Sequence, residues 1–124
     1  GTDGRRFPWG DHFDPAFTCA RESHATRPLP VDVTAFPADV SPYGVRGLGG
    51  NVRDWCLDAW SADGPALERA RPVPPAPSDD ADTRRVYRGG YWHAAETGCL
   101  ATARYSAVPT ARASAVGVRL VRSL

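Results

Sequence analysis

The side chains with the widest chemical reach in this sequence are three cysteines, Cys19, Cys56 and Cys99. As thiolates they could act as nucleophiles or bind a soft metal. They lie far apart, form no CxxC pair and match no zinc-ligand spacing. Their odd number and wide separation favour reduced thiols. A nucleophilic Cys99 would need a depressed pKa and a neighbouring base. The sequence around it displays neither, so a buried, inert thiol is expected. His93 and Cys99 together make two ligands, too few for zinc, and His12 and His24 sit in separate loop-like stretches. Hydrogen-bonded or surface histidines are the expected state. Arg104, Arg112 and Arg119 suit bidentate contacts to carboxylates or carbonyls that tie loops together. Arg104 and Arg112, which flank Pro109, could instead line a ligand cleft.

These groups must be positioned by short elements. The 124 residues contain 12 glycines and 12 prolines, which break long helices and favour strands and turns. At 42% hydrophobic and 23% charged, the composition is globular and fits one domain with a modest core. The net charge of +1 provides no field for recruiting nucleic acid or a membrane surface. No apolar run approaches the length of a membrane span, and no signal peptide is visible. All the basic residues other than histidine are arginine, with no lysine, isoleucine or methionine. That bias matches the codon usage of a GC-rich bacterium.

Along the chain, residues 1–30 read as irregular, anchored by Phe7, Trp9, Phe13 and Phe17. Val31 and Val33 suggest a short extended segment over Pro30–Pro37, and Ser41-Pro42-Tyr43-Gly44 is a turn. In Gly47–Trp60, Val52, Trp55 and Leu57 are inward candidates, with Arg53 and Asp54 polar. Residues 61–82, rich in Pro and Asp, read as a long exposed loop, within which Pro65–Arg71 is the best short helix candidate. Arg84–Trp92 is a strand meeting a glycine pair that permits close backbone approach. The ending VGVRLVRSL alternates as a closing strand, with Val116, Val118, Leu120 and Arg122 sharing one parity. The fold class is α+β, loop-rich, with short antiparallel strands and few helices.

Four blocks carry a resemblance. FPWG (Phe7–Gly10), SPYGVRGLGGNVRDW (Ser41–Trp55), RVYRGGYW (Arg85–Trp92) and ARYSAVPTARASAVGVRLVRS (Ala103–Ser123) resemble, in order and spacing, the motifs of the formylglycine-generating-enzyme, or sulfatase-modifying-factor, family. The resemblance implies a C-type-lectin-like fold. It also implies that residues 1–124 form the C-terminal portion of such a domain, covalently part of a longer, cytoplasmic bacterial protein. The GNVRDW block and the ending are similar to the form fused to bacterial serine/threonine kinases.

The same resemblance bears on metals and catalysis. It implies a calcium site with the carbonyls of Gly50 and Val52 and the carboxylate of Asp54 as ligands. Gly47, however, stands where the family has an Asn or Asp, so one side-chain ligand is gone. The family's oxidases hold copper between two cysteines after the RGG motif. Counted from Gly89-Gly90, Ala94 takes the first position and Cys99 the second. A one-sulfur site cannot form the linear bis-thiolate, so the reading goes against copper. The function expected is a non-catalytic module that binds a protein or small molecule, a sensor or docking domain. Its binding face would be drawn from Tyr91, Trp92, His93, Glu96, Arg104, Tyr105 and Arg112. The alternatives are a copper-dependent oxidase using Cys99 on a cysteine of a protein substrate and, as a minor option, a variable binding protein of a diversity-generating retroelement.

Overall fold

Glycine and proline punctuation leaves six short strands and two 3-10 turns in a computed structural model that describes residues 2–69, 71–73 and 80–120. The strands are β1 (Arg53–Ala59), β2 (Leu67–Glu68), β3 (Arg71–Pro72), β4 (Arg85–Arg88), β5 (Arg104–Ala107) and β6 (Val116–Gly117). Four form one sheet in the order β5-β4-β1-β6. β4 runs antiparallel to both β1 and β5, whereas β6 joins β1 in parallel, with Arg53 opposite Val116. The antiparallel expectation is therefore corrected at this edge: the long connection from β5 returns the chain in the direction of β1. Helical structure among the described residues is limited to the 3-10 turns Arg21–Ser23 and Glu96–Cys99. This is the loop-rich α+β architecture of the C-type-lectin type that the motifs imply.

The buried centre lies outside the sheet. Phe7, Ala20, Ala94 and Cys99 cluster there, with Trp9, Phe13, Tyr91 and Leu100 packed against them. Phe7 stacks on Trp9 at 5.4 Å and tilts against Phe13 at 5.6 Å, so the irregular opening of the chain is held by ring packing rather than by a backbone ladder.

The glycine-rich Leu48–Asn51 segment knits these parts together. Asn51 adopts a left-handed conformation, φ 70°, which Asn tolerates better than most residues. Its backbone N–H donates to the Cys19 carbonyl at 2.8 Å, and its carbonyl accepts from Trp92 N–H at 2.9 Å. Its side-chain amide makes a reciprocal pair with the backbone of Val31, at 2.9 and 3.0 Å. One residue thus fixes the positions of three distant segments.

Several sequence expectations change. Pro30–Pro37 is a turn rather than an extended segment, because Asp32 accepts the backbone N–H of Thr34 at 2.8 Å and closes an Asx-turn. Pro65–Arg71 is no helix. Its register belongs to the β2–β3 ribbon, with Leu67 opposite Pro72, so the 61–82 stretch is an exposed loop carrying a small hairpin. Residues 70 and 74–79 lie outside the described residues. Leu57 is 85% exposed, because an irregularity between Trp55 and Ala59 shifts the β1–β4 register. The closing strand is only two residues long: Val118 and Leu120 are 72% and 97% exposed. Its remainder, including Arg122, lies outside the described residues.

Candidate functional site

The side chains of β1 alternate across the sheet. Arg53 and Trp55 share one face with Tyr87 of β4 and Tyr105 of β5, in register as Trp55↔Tyr87 and Tyr87↔Tyr105. Trp55 meets Tyr87 edge-on at 5.4 Å, and Tyr87 stacks on Tyr105 at 5.7 Å. Arg53 lies on this aromatic row. Its guanidinium carbon is 3.7 Å from the Tyr105 ring centroid, 4.3 Å from Tyr91 and 5.6 Å from Tyr87, and its Nε donates to the Gly89 carbonyl at 3.3 Å. All five residues are half-buried. A desolvated guanidinium over ring faces is attracted by the ring quadrupoles. The sequence reading treated Arg53 only as a polar strand residue. Its shared parity with Trp55, and with the tyrosines once β4 and β5 are paired, is the signal that could have found it.

Of the expected binding face, Tyr91, Trp92 and His93 are brought together, with ring centroids 5.7–6.4 Å apart, and Tyr105 joins Tyr91 through Arg53. The others diverge. Glu96 pairs with Arg6 at 3.3 Å on the surface. Arg104 reaches over Trp60 and donates to the Ser61 carbonyl. Arg112 stands exposed in the loop before β6. Trp92 Nε1 is buried with no acceptor among the described residues.

On the other parity, Asp54 and Cys56 line a cleft of about 450 Å³, together with Tyr43, Leu48, Arg88 and Arg119. Here the proposed calcium ligand is engaged: Arg119 Nε donates to the Asp54 carboxylate while its Nη2 donates to the Gly47 carbonyl at 2.9 Å. A guanidinium therefore stands between the acidic group and the residue that lacks the family's side-chain oxygen. Gly50 is buried against the Cys19 carbonyl. This donor set does not fit calcium, which needs six to eight oxygens. Millimolar calcium, or a chelator, is expected to leave the melting temperature unchanged within about 1 °C, since a ligand stabilises only by binding the folded state. A calcium-dependent rise abolished by Asp54→Asn would contradict the guanidinium assignment.

Ala94 stands two residues before the second 3-10 turn, and Cys99 is the last residue of that turn. Both are buried, and Ala94 packs against Gly98 so closely that a β-carbon there would stand 3.0 Å from its methyl. The Cys99 thiol is pushed up to about 12, chiefly by burial, with the charges of Asp39 and Glu22 adding and Arg53 opposing. Cys19 is also buried, its Sγ 3.4 Å from His24 Nε2, and burial raises its pKa too. Among the described residues no group of three or more His, Cys, Asp or Glu could hold a metal ion. With Ala94 and a single sulfur, Cys99, at this turn, these residues do not supply the two thiolates of a cuprous site.

One functional-looking group was missed entirely. Asp39 is 2% exposed. It accepts from the Thr18 hydroxyl at 2.5 Å and from Gly49 N–H at 3.1 and 3.2 Å.

The profile of the sulfatase-modifying factor enzyme 1-like domain matches residues 1–124. The chain belongs to that family. Curated relatives include a formylglycine-generating enzyme of Thermomonospora curvata, 30% identical over 135 residues that cover 96% of this chain and 43% of the relative. A hercynine oxygenase of Mycolicibacterium smegmatis is 34% identical over 91 residues, 71% of this chain and 21% of the relative. A serine/threonine-protein kinase pkn1 of Chlamydia caviae is 29% identical over 127 residues, 100% of this chain and 19% of the relative. The chain thus spans less than half the length of each of these curated relatives. Both enzymes and a kinase carry the family's domain, so membership leaves the chemistry to the residues of the site. No helix among the described residues is long and apolar enough to cross a membrane.

Proposed function

We propose that this domain is a non-catalytic binding module of the sulfatase-modifying-factor family, serving as a sensor or docking domain of a longer bacterial protein, in one arrangement a kinase. The observation that carries this reading is Ala94. It occupies the first cysteine position of the oxidases and leaves the buried Cys99 without that partner sulfur. Formylglycine formation on a copper bis-thiolate needs two sulfurs. The likeness to a kinase over the whole chain supports a role in which the domain recognises something for a partner domain. The aromatic row around Arg53 supplies the rigid, amphipathic surface that such recognition uses.

The second reading, an oxidase acting on a protein cysteine, draws on the likeness to the Thermomonospora enzyme. An assay separates the two. The protein is incubated with cuprous copper, oxygen, a reductant and a cysteine-containing peptide, and the peptide is followed by mass spectrometry. No aldehyde product is expected, and Cys99→Ser, although it buries a hydroxyl in the core cluster, is expected to leave ligand binding by the folded protein unchanged. Turnover that disappears in Cys99→Ser would overturn the binding-module reading.

A further inference from the structure

We infer that Arg53 is the anchor of a carboxylate-binding site, whose ligand places its acid on the guanidinium edge and an aromatic or flat apolar group against the tyrosines. This deepens the binding-module reading and rests on it.

Four observations support it. First, Arg53 is a half-buried cation with no carboxylate partner among the described residues. Its polar contact among the described residues is the Nε donation to Gly89, whereas Arg5, Arg6, Arg21 and Arg119 each pair with an acid. Guanidinium carries five donors in a planar fork, and the Nη edge of this one has no acceptor among the described residues. Second, the three tyrosine rings hold the guanidinium at 3.7–5.6 Å. They fix its orientation without occupying its N–H groups. Third, a second donor converges beside it. Tyr105 Oη and Arg53 Nη2 lie 3.4 and 3.9 Å from the one point where Gly98 would carry a β-carbon. A guanidinium and a hydroxyl on one side of a site suit a planar anion. Fourth, the charge is single. The neighbouring Arg85 and Arg104 are directed to the carbonyls of Leu57 and Ser61, and among the described arginines Arg53 alone lies over these tyrosine rings. A monoanionic carboxylate matches that charge better than a dianionic phosphate. The Trp55–Tyr87–Tyr105 row continues the surface on which the body of the ligand would rest.

The carboxylate could belong to a small aromatic acid or to the C-terminus of a peptide. The test is calorimetric titration of the purified protein with phenylacetate, N-acetylphenylalanine, N-acetylphenylalanine amide and inorganic phosphate. Saturable binding is expected for one or both acids, at least tenfold weaker binding for the amide, and none comparable for phosphate. Phenylacetate binding as well as N-acetylphenylalanine would indicate a small acid; selective binding of the latter would indicate a peptide end. Arg53→Gln should abolish binding, and Arg53→Lys should weaken it tenfold or more because the fork is lost. Arg88→Gln, in the cleft on the opposite parity, should leave it unchanged. If the Arg53 variants fail to fold, Tyr105→Phe and Tyr91→Phe keep the rings, and a threefold or greater loss in the former alone is expected. Equal binding of acid and amide, phosphate binding as tight as carboxylate, binding retained in a folded Arg53→Gln, or no saturable binding by either acid would each overturn the proposal. Cysteine oxidation by the same preparation would overturn the non-catalytic reading instead and would leave the titration result to stand separately.

Discussion

Gly90→Ala is expected to abolish cooperative folding. An added β-carbon would stand 2.1 Å from the Gly49 carbonyl oxygen and 2.9 Å from Cys99 Sγ. The first of these neighbours is backbone, so no rotamer change can relieve the contact. Gly49 cannot retreat, because its own α-carbon faces the Trp9 ring, where a β-carbon would meet carbon at 2.4 Å, and its N–H is held by Asp39. Two chains here pass at a separation only glycine permits, beside the buried cluster. The cost should exceed about 4 kcal/mol, the range reached when a substitution forces backbone apart in a close-packed interior. A domain has roughly 5–15 kcal/mol in all. Thermal unfolding followed by near-ultraviolet circular dichroism should show a transition lowered by more than roughly 15 °C or lost. Gly44→Ala is the comparison. Gly44 has φ 77° but nothing within 4 Å of an added β-carbon, so the expected cost is only the left-handed strain, about 1–2 kcal/mol. Equal effects of the two substitutions would refute the close-approach account.

The second large effect is expected at Asp39. Replacing it by alanine leaves the wholly buried Thr18 hydroxyl and the Gly49 N–H without their acceptor. Each unsatisfied buried group costs about 1–3 kcal/mol, so Asp39→Ala should lose on the order of 3 kcal/mol or more in urea unfolding. Asp39→Asn keeps an acceptor oxygen and should lose less than half of that. The pH dependence follows from burial, which raises the Asp39 carboxyl above its usual 3.8 against the opposing hydrogen bonds from Thr18 and Gly49. The folded state then binds the proton more tightly than the unfolded state, so stability falls as pH rises through this window. The advantage of wild type over Asp39→Asn should be greatest below about pH 4. It should decline as pH rises through the elevated folded value and level off beyond it. An advantage that grows with pH would mean that the hydrogen bonds outweigh burial.

The motif blocks told most about where strands and close backbone contacts lie. β1 begins within GNVRDW, and β4 is the RVYR that precedes the glycine pair, because hydrophobic alternation and glycine mark those positions locally. Leu57 and Leu120 misled for a physical reason. Alternation identifies one face of a strand but does not say that a second layer covers it, and at both positions none does among the described residues. Asp39 was illegible because an aspartate beside a turn is ordinarily solvated. Its burial arises only when Gly49, ten positions later, folds its N–H onto it. The Arg53 cluster depended on the pairing of three strands separated by long connections, which no local pattern encodes. Ala94 and Cys99 were singled out by counting from Gly89-Gly90, and both are buried at the second 3-10 turn.

The parallel pairing of β6 with β1 has a consequence for biosynthesis. β1 spans Arg53–Ala59, yet its outer neighbour is Val116–Gly117, and Arg53 N–H bonds to the Ala115 carbonyl at 2.8 Å. During translation, at roughly 5–20 residues per second, several seconds pass between the emergence of the two partners. Throughout that interval the nascent chain carries a strand with one bare edge. Such an edge can template wrong pairing with a neighbouring polypeptide. The short length of β6, and the charges of Arg53, Asp54 and Asp58 along β1, limit that hazard until the sheet closes.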